Sequence, residues 1–475
     1  MNAPFRPPTP SSAFLQSAKD LLGPKGWSEA PDALDEHATA WRGAIKGETP
    51  FAAYPSATEE AAALLKLCND HGVAVTPQGG NTSLVDGGTP HGEIVVGMKR
   101  MNAIRAVDPL NNSLVAEAGC VLAAVQEAAE GAGRFFPLSL GSEGTAMIGG
   151  LISTNAGGVA VLRYGMMRDL LLGLEVVLPD GRVWDGLNLL RKNNTGYDLK
   201  HLFAGAEGTL GLITAASLKL FPQTAKATAW VCTPTAQAAI ELLALVRDHA
   251  GDTVTSFELV PANAVAMVME DAPKVRDPLP HEADWRVLME LSMADAAHAN
   301  ETLENALGEA LERGLAVDAA VAASVAQAKD FWRIRETIPL SKRAYGTSVN
   351  HDVSVPISAI PAFLEAAGAA VRGIAPRAEI VAFGHIGDGN IHYSACEPAD
   401  ADEPVLRGVS AEIMAAVHQT ATAHGGSISA EHGVGLLKRD EIAELKAGPE
   451  IDMMRAVKAA LDPKGIMNPG RVVET

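Results

Sequence analysis

A chain of 475 residues is longer than one hydrophobic core usually fills, so we expect two domains. Hydrophobic residues at 47% and charged residues at 20% are typical of a soluble globular protein. The formal net charge of -19 disfavours long-range attraction to nucleic acid or to an anionic membrane, so an anionic substrate would need local cations or a metal.

The N-terminal segment, residues 1–35, is expected to be partly disordered, because its first dozen residues, MNAPFRPPTPSS, are rich in proline. They lack the apolar run behind a basic start that marks a signal peptide. No window of the chain approaches the roughly 18 to 20 uninterrupted apolar residues of a membrane span. The four cysteines are far apart and form no C-x-x-C motif, which argues against a disulfide framework. We therefore expect a cytoplasmic protein with buried free thiols.

A helix and a strand precede the first glycine-rich loop. Residues 56–70 carry a serine or threonine N-cap and acidic residues in the first turn, and His71-Gly72 is a stop signal. The apolar run that follows leads into PQGGNTSL, Pro77–Leu84. Residues 94–119 then alternate as paired strands do, and residues 120–133 read as a short helix that ends at its glycines.

A second glycine-rich stretch, PLSLGSEGTAMIGGLISTNAGG, spans Pro137–Gly158. Both stretches place glycines beside small hydroxyl and amide side chains, which allows backbone N–H groups to approach a pyrophosphate closely. Two such loops favour a long dinucleotide ligand. Neither contains G-x-G-x-x-G opening a helix or G-x-x-x-x-G-K-[ST], so the Rossmann and P-loop mechanisms are not indicated.

The composition changes near Pro222. Before it, Pro179-Asp180-Gly181 marks a hairpin turn between apolar strands. After it, alanine-rich helices alternate with short strands, which indicates an α+β domain with an antiparallel sheet covered by helices. We expect a first domain over residues 36–222, a second domain over residues 223–425 and a separate C-terminal segment over residues 426–475.

Two histidines flank a predicted hairpin in FGHIGDGNIHYS, where His385 ends one strand and His392 lies in the next. Taken alone, such histidines are more often surface residues. A second motif, SAEHG, adds Glu431 and His432. Two imidazoles and one carboxylate with an open position are typical of a catalytic zinc or similar divalent site.

These motifs together resemble a known flavoprotein family. The first loop, the NAGG segment ending the second, Arg163-Tyr164-Gly165 and AGAEGTLGLIT (Ala204–Thr214) resemble the FAD-binding domain of the vanillyl-alcohol-oxidase and p-cresol-methylhydroxylase (PCMH) superfamily. The C-terminal half resembles its D-lactate and D-2-hydroxyglutarate dehydrogenases. The resemblance implies an α+β, two-domain flavoprotein: a PCMH-type FAD-binding domain, an α+β cap domain with an antiparallel sheet, and a C-terminal helical tail that packs back on the flavin domain.

The resemblance also implies roles for individual residues. His385, His392 and Glu431 would hold a divalent metal, zinc in the first instance with manganese or cobalt left open, and His432 would be the catalytic base. FAD would be noncovalent, because PQGGNTSL contains no histidine or cysteine for a tether. The residues expected to bind FAD are Pro77, Gly79, Gly80, Asn81, Thr82, Ser83, Pro137, Gly141, Thr145, Gly149, Gly150, Asn155, Gly157, Gly158, Glu207, Ile213 and Asn468.

Substrate binding is expected at Arg335, Asn350 and Ser394. In the resembled enzymes an arginine at the place of Arg335 grips the substrate carboxylate; the alternative is a helix-surface arginine paired with Glu336. Those enzymes usually carry lysine at Asn350 and asparagine at Ser394, so a distal carboxylate would need another cation, for which the sequence offers Lys342 or Arg343. D-2-hydroxyglutarate, oxidised to 2-oxoglutarate, is the first expectation, and D-lactate or another D-2-hydroxy monocarboxylate is the alternative.

Two other classes of function remain open from the sequence. A metallohydrolase would use the same histidines and carboxylate around a water, but it would leave the glycine-rich loops unexplained and has no H-E-x-x-H motif. A nonenzymatic flavoprotein is the other. For the dehydrogenase, the resemblance implies an electron-transferring flavoprotein or a quinone as electron acceptor, and a homodimer is left open.

Overall fold

The computed structural model describes residues 7–43, 45–272, 274–398 and 404–474. The chain forms two compact units. Unit 1 contains the chain up to Gly158, Gly165–Gln223 and everything after Ala430; unit 2 contains Val159–Tyr164 and Thr224–Ala430. Residues 1–6 of the segment expected to be partly disordered lie outside the described residues.

The strands, in chain order, are β1 (Trp27–Ser28), β2 (Ala52–Ala53), β3 (Val75–Gln78), β4 (Ile94–Gly97), β5 (Ile104–Asp108), β6 (Ser113–Glu117), β7 (Arg134–Phe135), β8 (Leu171–Val177), β9 (Val183–Asp185), β10 (Leu212–Lys219), β11 (Phe221–Pro222), β12 (Ala225–Thr233), β13 (Val254–Pro261), β14 (Trp285–Met293), β15 (Asp318–Val321), β16 (Ser348–Ser354), β17 (Glu379–Phe383) and β18 (Asn390–Cys396). The helices are α1 (Ser12–Leu22), α2 (Pro31–Ala38), α3 (Thr58–His71), α4 (Leu122–Gly131), α5 (Ile148–Ser153), α6 (Val161–Tyr164), α7 (Lys200–Phe203), α8 (Ala236–Ala250), α9 (Ala262–Asp271), α10 (Ala296–Glu312), α11 (Val325–Ser341), α12 (Ile360–Ile374), α13 (Ser410–Ala423), α14 (Arg439–Leu445) and α15 (Pro449–Leu461).

Unit 1 contains two larger sheets. One has the order β1-β2-β4-β3, in which β2, β4 and β3 run parallel. The other is antiparallel with the order β5-β6-β10-β8-β9. The predicted helix over residues 56–70 is confirmed as α3, which ends at Gly72 in the left-handed conformation (φ 66°). Its expected serine or threonine N-cap is wrong: Ala57 is the N-cap, and Ser56 Oγ donates to the Glu60 carboxylate instead (3.0 Å). Strand β3 follows it and delivers the first glycine-rich loop.

Two helices near the N-terminus were not predicted. Ser11 caps α1 by accepting a hydrogen bond from the Phe14 amide (3.2 Å), and Phe14, Ala18 and Leu22 bury one face of the helix. Their four-residue spacing is a helical signal that the proline-rich start obscured. The second helix, α2, starts at a proline.

Unit 2 contains two antiparallel sheets, β13-β14-β12-β15 and β16-β18-β17. Helices α8, α10, α12 and α13 supply much of the core, with side chains such as Leu242, Leu303, Phe363 and Val417 fully buried. The alternation of helices and strands predicted after Pro222 therefore produces helix-covered antiparallel sheets, as expected.

Two short segments lie in a different unit from the one predicted. Residues 426–430, expected in the C-terminal segment, belong to unit 2. Residues 159–164, expected in the first domain, belong to unit 2, because Ser256 donates a hydrogen bond to the Val159 carbonyl (2.7 Å) and Arg163 donates to the Ser292 carbonyl. The aliphatic side chain of Leu162 also lies against Gly387. Residues 159–164 therefore belong to unit 2 because of their hydrogen bonds to β13 and β14, although they directly follow the second glycine-rich loop in the sequence.

Among the described residues, Ile357–Ile374 has the length and apolar composition of a membrane span. It includes Glu365 and Arg372, so it is not an uninterrupted apolar run. In the structure most of it is α12, whose Phe363, Ala367 and Val371 lie in the core of unit 2. One buried face is what a core helix of this composition shows.

Candidate active site and flavin-binding loops

The hairpin of β17 and β18 places two imidazoles side by side. The ring centroids of His385 and His392 are 5.4 Å apart, and one ring nitrogen of each lies within 4.8 Å of the other. Gly384, at the start of the turn, has φ +147°, and a Cβ atom there would lie 2.8 Å from the Asn390 carbonyl oxygen. Glycine is therefore required for the turn that brings the histidines together.

Glu258 is the main residue of this site that the sequence did not reveal. A β-bridge joins Leu259 on β13 to Gly384, with hydrogen bonds of 2.8 and 3.0 Å in the two directions. This bridge sets Glu258 beside the turn, where its carboxylate accepts a hydrogen bond from His385 Nδ1 at 2.5 Å. No local pattern around SFELV predicts this contact.

The Glu258 carboxylate fixes the ring of His385. With Nδ1–H donating to the carboxylate, Nε2 is the nitrogen that can bind a metal, which is the carboxylate–histidine–metal arrangement of known metal sites. Complete burial opposes ionisation of Glu258, but the neighbouring His385 and Arg335 outweigh it and lower the pKa of this carboxyl to about 2. The donor set therefore fits a divalent metal.

The second histidine faces an acidic partner on the neighbouring strand. Asp352 is opposite His392 in the β16–β18 register, with its Oδ1 3.6 Å from His392 Nδ1, and Asn390 Nδ2 donates to the same carboxylate at 2.8 Å. The Ala430 amide donates to the Asp352 carbonyl at 3.1 Å. Glu431 and His432 follow Ala430 directly along the chain, and both are half-buried.

Arg335 is buried in unit 2, so its alternative interpretation as a helix-surface arginine is wrong. Only 8% of the residue is exposed, and its Nε donates to Glu258 at 2.6 Å. Its guanidinium lies over the Phe383 ring at 4.7 Å, and a terminal nitrogen is 3.5 Å from His385 Nε2. The arginine therefore shares one carboxylate with the first predicted metal ligand.

The other two predicted substrate-binding residues meet a lysine. Lys342 donates to Asn350 Oδ1 (3.0 Å) and to Ser394 Oγ (2.5 Å), and Ser394 donates to the same amide oxygen (2.9 Å). Lys342 is 7% exposed, whereas Arg343 and Asn350 are exposed. Of the two cations that the sequence offered, the structure brings Lys342 to this position.

The two glycine-rich loops of unit 1 contact each other through their backbones. A Cβ atom on Gly80 would lie 2.0 Å from the Thr145 carbonyl oxygen, and one on Gly79 would lie 3.2 Å from Met147 Cβ. Gly141, Gly144 and Gly150, by contrast, border open space. The loops are therefore closely packed at Gly79 and Gly80 but leave the backbone accessible at Gly141, Gly144 and Gly150. Accessible amide N–H groups of this kind can bind the pyrophosphate of a dinucleotide.

Several polar side chains expected to bind FAD shape these loops. Asn81 Nδ2 donates to the Thr39 carbonyl (2.9 Å), Ser83 Oγ accepts from the Gly87 amide (3.1 Å), and Asn155 Oδ1 accepts from the Arg168 amide (2.8 Å). Asn81 and Asn155 have positive φ, at 52° and 50°. Their side chains therefore hold the turns, and the backbone remains for the ligand.

Glu207 binds the turn that follows His432. Its carboxylate, 7% exposed, accepts hydrogen bonds from the Val434 and Gly435 amides at 2.7 and 2.8 Å, and burial raises its pKa. Gly433 permits this approach, because a Cβ there would lie 2.7 Å from Glu207 Oε1. Asn468 is 1% exposed and donates to the carbonyls of Gly87 and Glu207. Both were expected at FAD, and the structure gives both a role in holding loops of unit 1.

The remaining predicted FAD positions lie within unit 1 at the loops or under them. Close packing surrounds Pro77, Gly149 and Gly158, which approach Gly208, Ala118 and Ser139 respectively. The described positions Thr82, Pro137 and Gly157 lie in loops, and Ile213 is buried in β10.

Comparisons with known proteins agree with this geometry. A model described as an FAD binding domain matches residues 50–186, and one described as FAD linked oxidases, C-terminal domain, matches residues 222–472. The chain is 36% identical to the mitochondrial D-2-hydroxyglutarate dehydrogenase of Arabidopsis thaliana over 96% of this chain and 80% of that one. It is 35% identical to the D-2-hydroxyglutarate dehydrogenase of Stutzerimonas stutzeri over 97% and 98%. The solved structure of p-cresol methylhydroxylase superposes with a TM-score of 0.74 at 16% identity, covering 99% of each chain.

The fold and its glycine-rich loops define a two-domain flavoprotein of the PCMH type, as the sequence predicted. The chain belongs to the family of FAD-linked oxidases and is an FAD-dependent oxidoreductase. Its resemblance to the D-2-hydroxy acid dehydrogenases, drawn from the motifs, is confirmed by the match along nearly the whole chain.

Proposed function

We propose that the protein oxidises D-2-hydroxyglutarate to 2-oxoglutarate with noncovalent FAD and a divalent metal held by His385, His392 and Glu431. The proposal of a metal rests on one observation: the imidazoles of His385 and His392 lie next to each other, and His385 donates Nδ1–H to Glu258. The choice of substrate is supported by relatives that match nearly the whole of this chain and are named D-2-hydroxyglutarate dehydrogenase.

The division of chemistry follows from the residue types. FAD held by the glycine-rich loops would supply the acceptor for the hydride of substrate C2. A divalent ion held by His385, His392 and Glu431 would supply Lewis acidity toward the substrate hydroxyl. His432, as a neutral imidazole, accepts the hydroxyl proton.

Arg335 positions the substrate carboxylate. Its Nε donates to Glu258 and one terminal nitrogen lies 3.5 Å from His385 Nε2, so the N–H groups of the other terminal nitrogen are the ones proposed to bind an anion. A fixed carboxylate, a fixed hydroxyl and one direction for hydride departure together select one configuration at C2. The relatives supply the assignment of that configuration as D.

The test is anaerobic reduction of the flavin by single substrates. D-2-hydroxyglutarate should bleach the flavin absorbance, and the L enantiomer should not. His392→Ala should keep FAD and lose the bleaching, because the imidazole lies in unit 2, whereas the glycine-rich loops lie in unit 1.

A matched control is His424→Ala, which removes a half-buried histidine of the same unit whose Nδ1 hydrogen-bonds within its own helix end. This variant should bleach as the wild type does. If His392→Ala keeps full activity after chelator treatment, the proposed metal is not needed for the reaction and that part of the proposal is wrong. Equal bleaching by the L enantiomer would refute the site, and no bleaching by any D-2-hydroxy acid would leave a nonenzymatic flavoprotein.

A D-2-hydroxy monocarboxylate such as D-lactate is the second candidate. It is favoured because position 350 is an asparagine, where the resembled enzymes usually carry lysine.

The electron acceptor we propose is an electron-transferring flavoprotein or a quinone, and the assembly we propose is a homodimer. We also propose a cytoplasmic location, which the four buried free cysteines support, since such thiols suit a reducing compartment.

A further inference from the structure

One face of the β16–β18 pair carries two groups of polar side chains at a fixed separation. His392 and Ser394 are two residues apart on β18, and their register partners on β16 are Asp352 and Asn350. Alternation along a strand puts all four side chains on the same face, and two residues of strand span about 6.6 Å. The predicted metal ligand and the Ser394–Asn350 pair therefore form two positions on one surface.

The second position contains a buried cation. The Lys342 ammonium lies 2.5 Å from Ser394 Oγ and 3.0 Å from Asn350 Oδ1, and it is 5.3 Å from the centroid of the Phe383 ring. The same ring carries the Arg335 guanidinium and neighbours His392. The two cations thus flank one aromatic side chain beside the predicted metal ligands.

We propose that Lys342 is the specificity-determining residue of this site, binding a second, distal carboxylate of the substrate at the position of Asn350 and Ser394. The inference rests on the proposed oxidation of a D-2-hydroxy acid and names the substrate class within it. Four carbon–carbon bonds of about 1.5 Å each separate the carboxyl carbons of a five-carbon diacid. A substrate of that length spans from His392 to Ser394.

Charge at the second position decides between substrates. A distal carboxylate adds a charge-assisted hydrogen bond to the two neutral ones that the ammonium makes with Asn350 and Ser394, whereas a methyl group adds no charged acceptor. A monocarboxylic 2-hydroxy acid of the same length therefore binds less well. A pocket with a buried polar group that lacks its partner in the wrong substrate discriminates between two substrates by a larger ratio of kcat/KM than an apolar pocket does.

The lysine also explains why Asn350 is an asparagine. A lysine at position 350 would bring a second ammonium close to Lys342, and like charges a few ångströms apart in a partly buried setting repel strongly. An amide oxygen instead accepts a hydrogen bond from Lys342 and orients it. Lys342 and Asn350 therefore act as a pair, with the cation delivered from the end of α11 instead of from β16.

The C-terminal end of α11 explains how Lys342 reaches Asn350 and Ser394. Pro339 lies in the last turn of α11 and lacks an N–H group, and the helix gives way after Ser341 to a 3₁₀ turn over Lys342–Tyr345. In this turn Lys342 is buried while its neighbour Arg343 is exposed. The sequence alone could not separate these two cations.

The experiment compares kcat/KM for D-2-hydroxyglutarate and for D-2-hydroxyvalerate, which has a methyl group in place of the distal carboxylate. Lys342→Met should lower kcat/KM for D-2-hydroxyglutarate by about 100-fold, the scale for removing one partner of a buried charge pair. It should change D-2-hydroxyvalerate by less than about threefold. Arg343→Met, the adjacent exposed cation, is the matched control and should leave both values near the wild type.

A charge-relocation pair gives the sharper result. Asn350→Lys alone should lower kcat/KM for D-2-hydroxyglutarate, because two ammonium groups then compete for one position. Asn350→Lys combined with Lys342→Met should recover most of the loss of Lys342→Met, because one cation is again present. FAD content and the thermal unfolding midpoint of each variant separate binding effects from loss of structure.

Failures of the two proposals are distinguishable. If neither compound bleaches wild-type flavin, the proposed oxidation itself is wrong. If wild-type enzyme turns over D-2-hydroxyvalerate as well as D-2-hydroxyglutarate, Lys342 is not a specificity residue, whether or not its variants fold. Equal losses for both compounds in Lys342→Met, without recovery in the double variant, would make the lysine structural.

Discussion

A single buried carboxylate connects a histidine and an arginine of the candidate site. Glu258 accepts from His385 at 2.5 Å and from Arg335 at 2.6 Å, and the two partners together lower its pKa to about 2 in spite of complete burial. One residue thereby sets the tautomer of a predicted metal ligand and the orientation of a predicted carboxylate-binding arginine.

At the residue scale, Glu258→Gln should weaken metal binding by about 10- to 100-fold, the usual effect of losing a carboxylate behind a histidine ligand. The amide keeps the shape but no longer holds the imidazole with a charge. Metal titration of the chelator-treated protein, followed by elemental analysis, measures the change.

Two variants control this result. Glu290→Gln alters another buried glutamate of unit 2, which pairs with Lys226, and should leave metal affinity unchanged.

His432→Ala should lower turnover by about 10²- to 10⁴-fold with metal content unchanged, as expected for a base. Unaltered metal affinity in Glu258→Gln would show that the contact does not support a metal site.

At the element scale, the tail of unit 1 is held by polar contacts to loops far away in sequence. Lys458 on α15 donates to the Thr209 and Met467 carbonyls (2.7 and 2.8 Å) and pairs with Asp462 at 2.6 Å. Glu207 binds the backbone immediately after His432. These buried contacts hold α15 and the turn after His432 against loops of unit 1.

Glu207→Ala should destabilise unit 1, because it leaves the Val434 and Gly435 amides without their acceptor. Each buried amide that loses its partner costs about 1–3 kcal/mol. A fall in the thermal unfolding midpoint and in turnover is expected, since the loosened turn adjoins His432. Glu127→Ala, at an exposed position of α4, should change stability by no more than about 0.5 kcal/mol. An unchanged midpoint in Glu207→Ala would contradict the anchoring role.

At the scale of the whole molecule, the cofactor should be released without breaking a covalent bond. PQGGNTSL has no tethering residue, and the four cysteines are buried, with burial raising the pKa of the Cys120, Cys232 and Cys396 thiols to about 11. Such thiols are protonated at neutral pH and are poor nucleophiles. Acid precipitation should therefore transfer all flavin absorbance to the supernatant, and colour retained in the pellet would disprove noncovalent binding.

The fold was largely predictable where local patterns were strong. Alanine-rich helices such as α8 and α10, helix α3 with its stop at Gly72 and the hairpin around Asp180 follow from periodicity and turn residues within short windows. Helix α1 was missed, and residues 159–164 were expected in the wrong unit, because contacts to β13 and β14 decide their position.

The sequence by itself determined the flavoprotein class, the glycine-rich loops and the pair His385 and His392, because each depends on residues spaced around one turn or strand end. Only the tertiary structure decided which distant side chains complete the site. Glu258 is 127 residues from His385, Lys342 is 52 from Ser394, and Glu207 is 227 from Val434. Contacts over such separations arise when strands and helix ends pack together, and packing leaves no periodic signal in the chain.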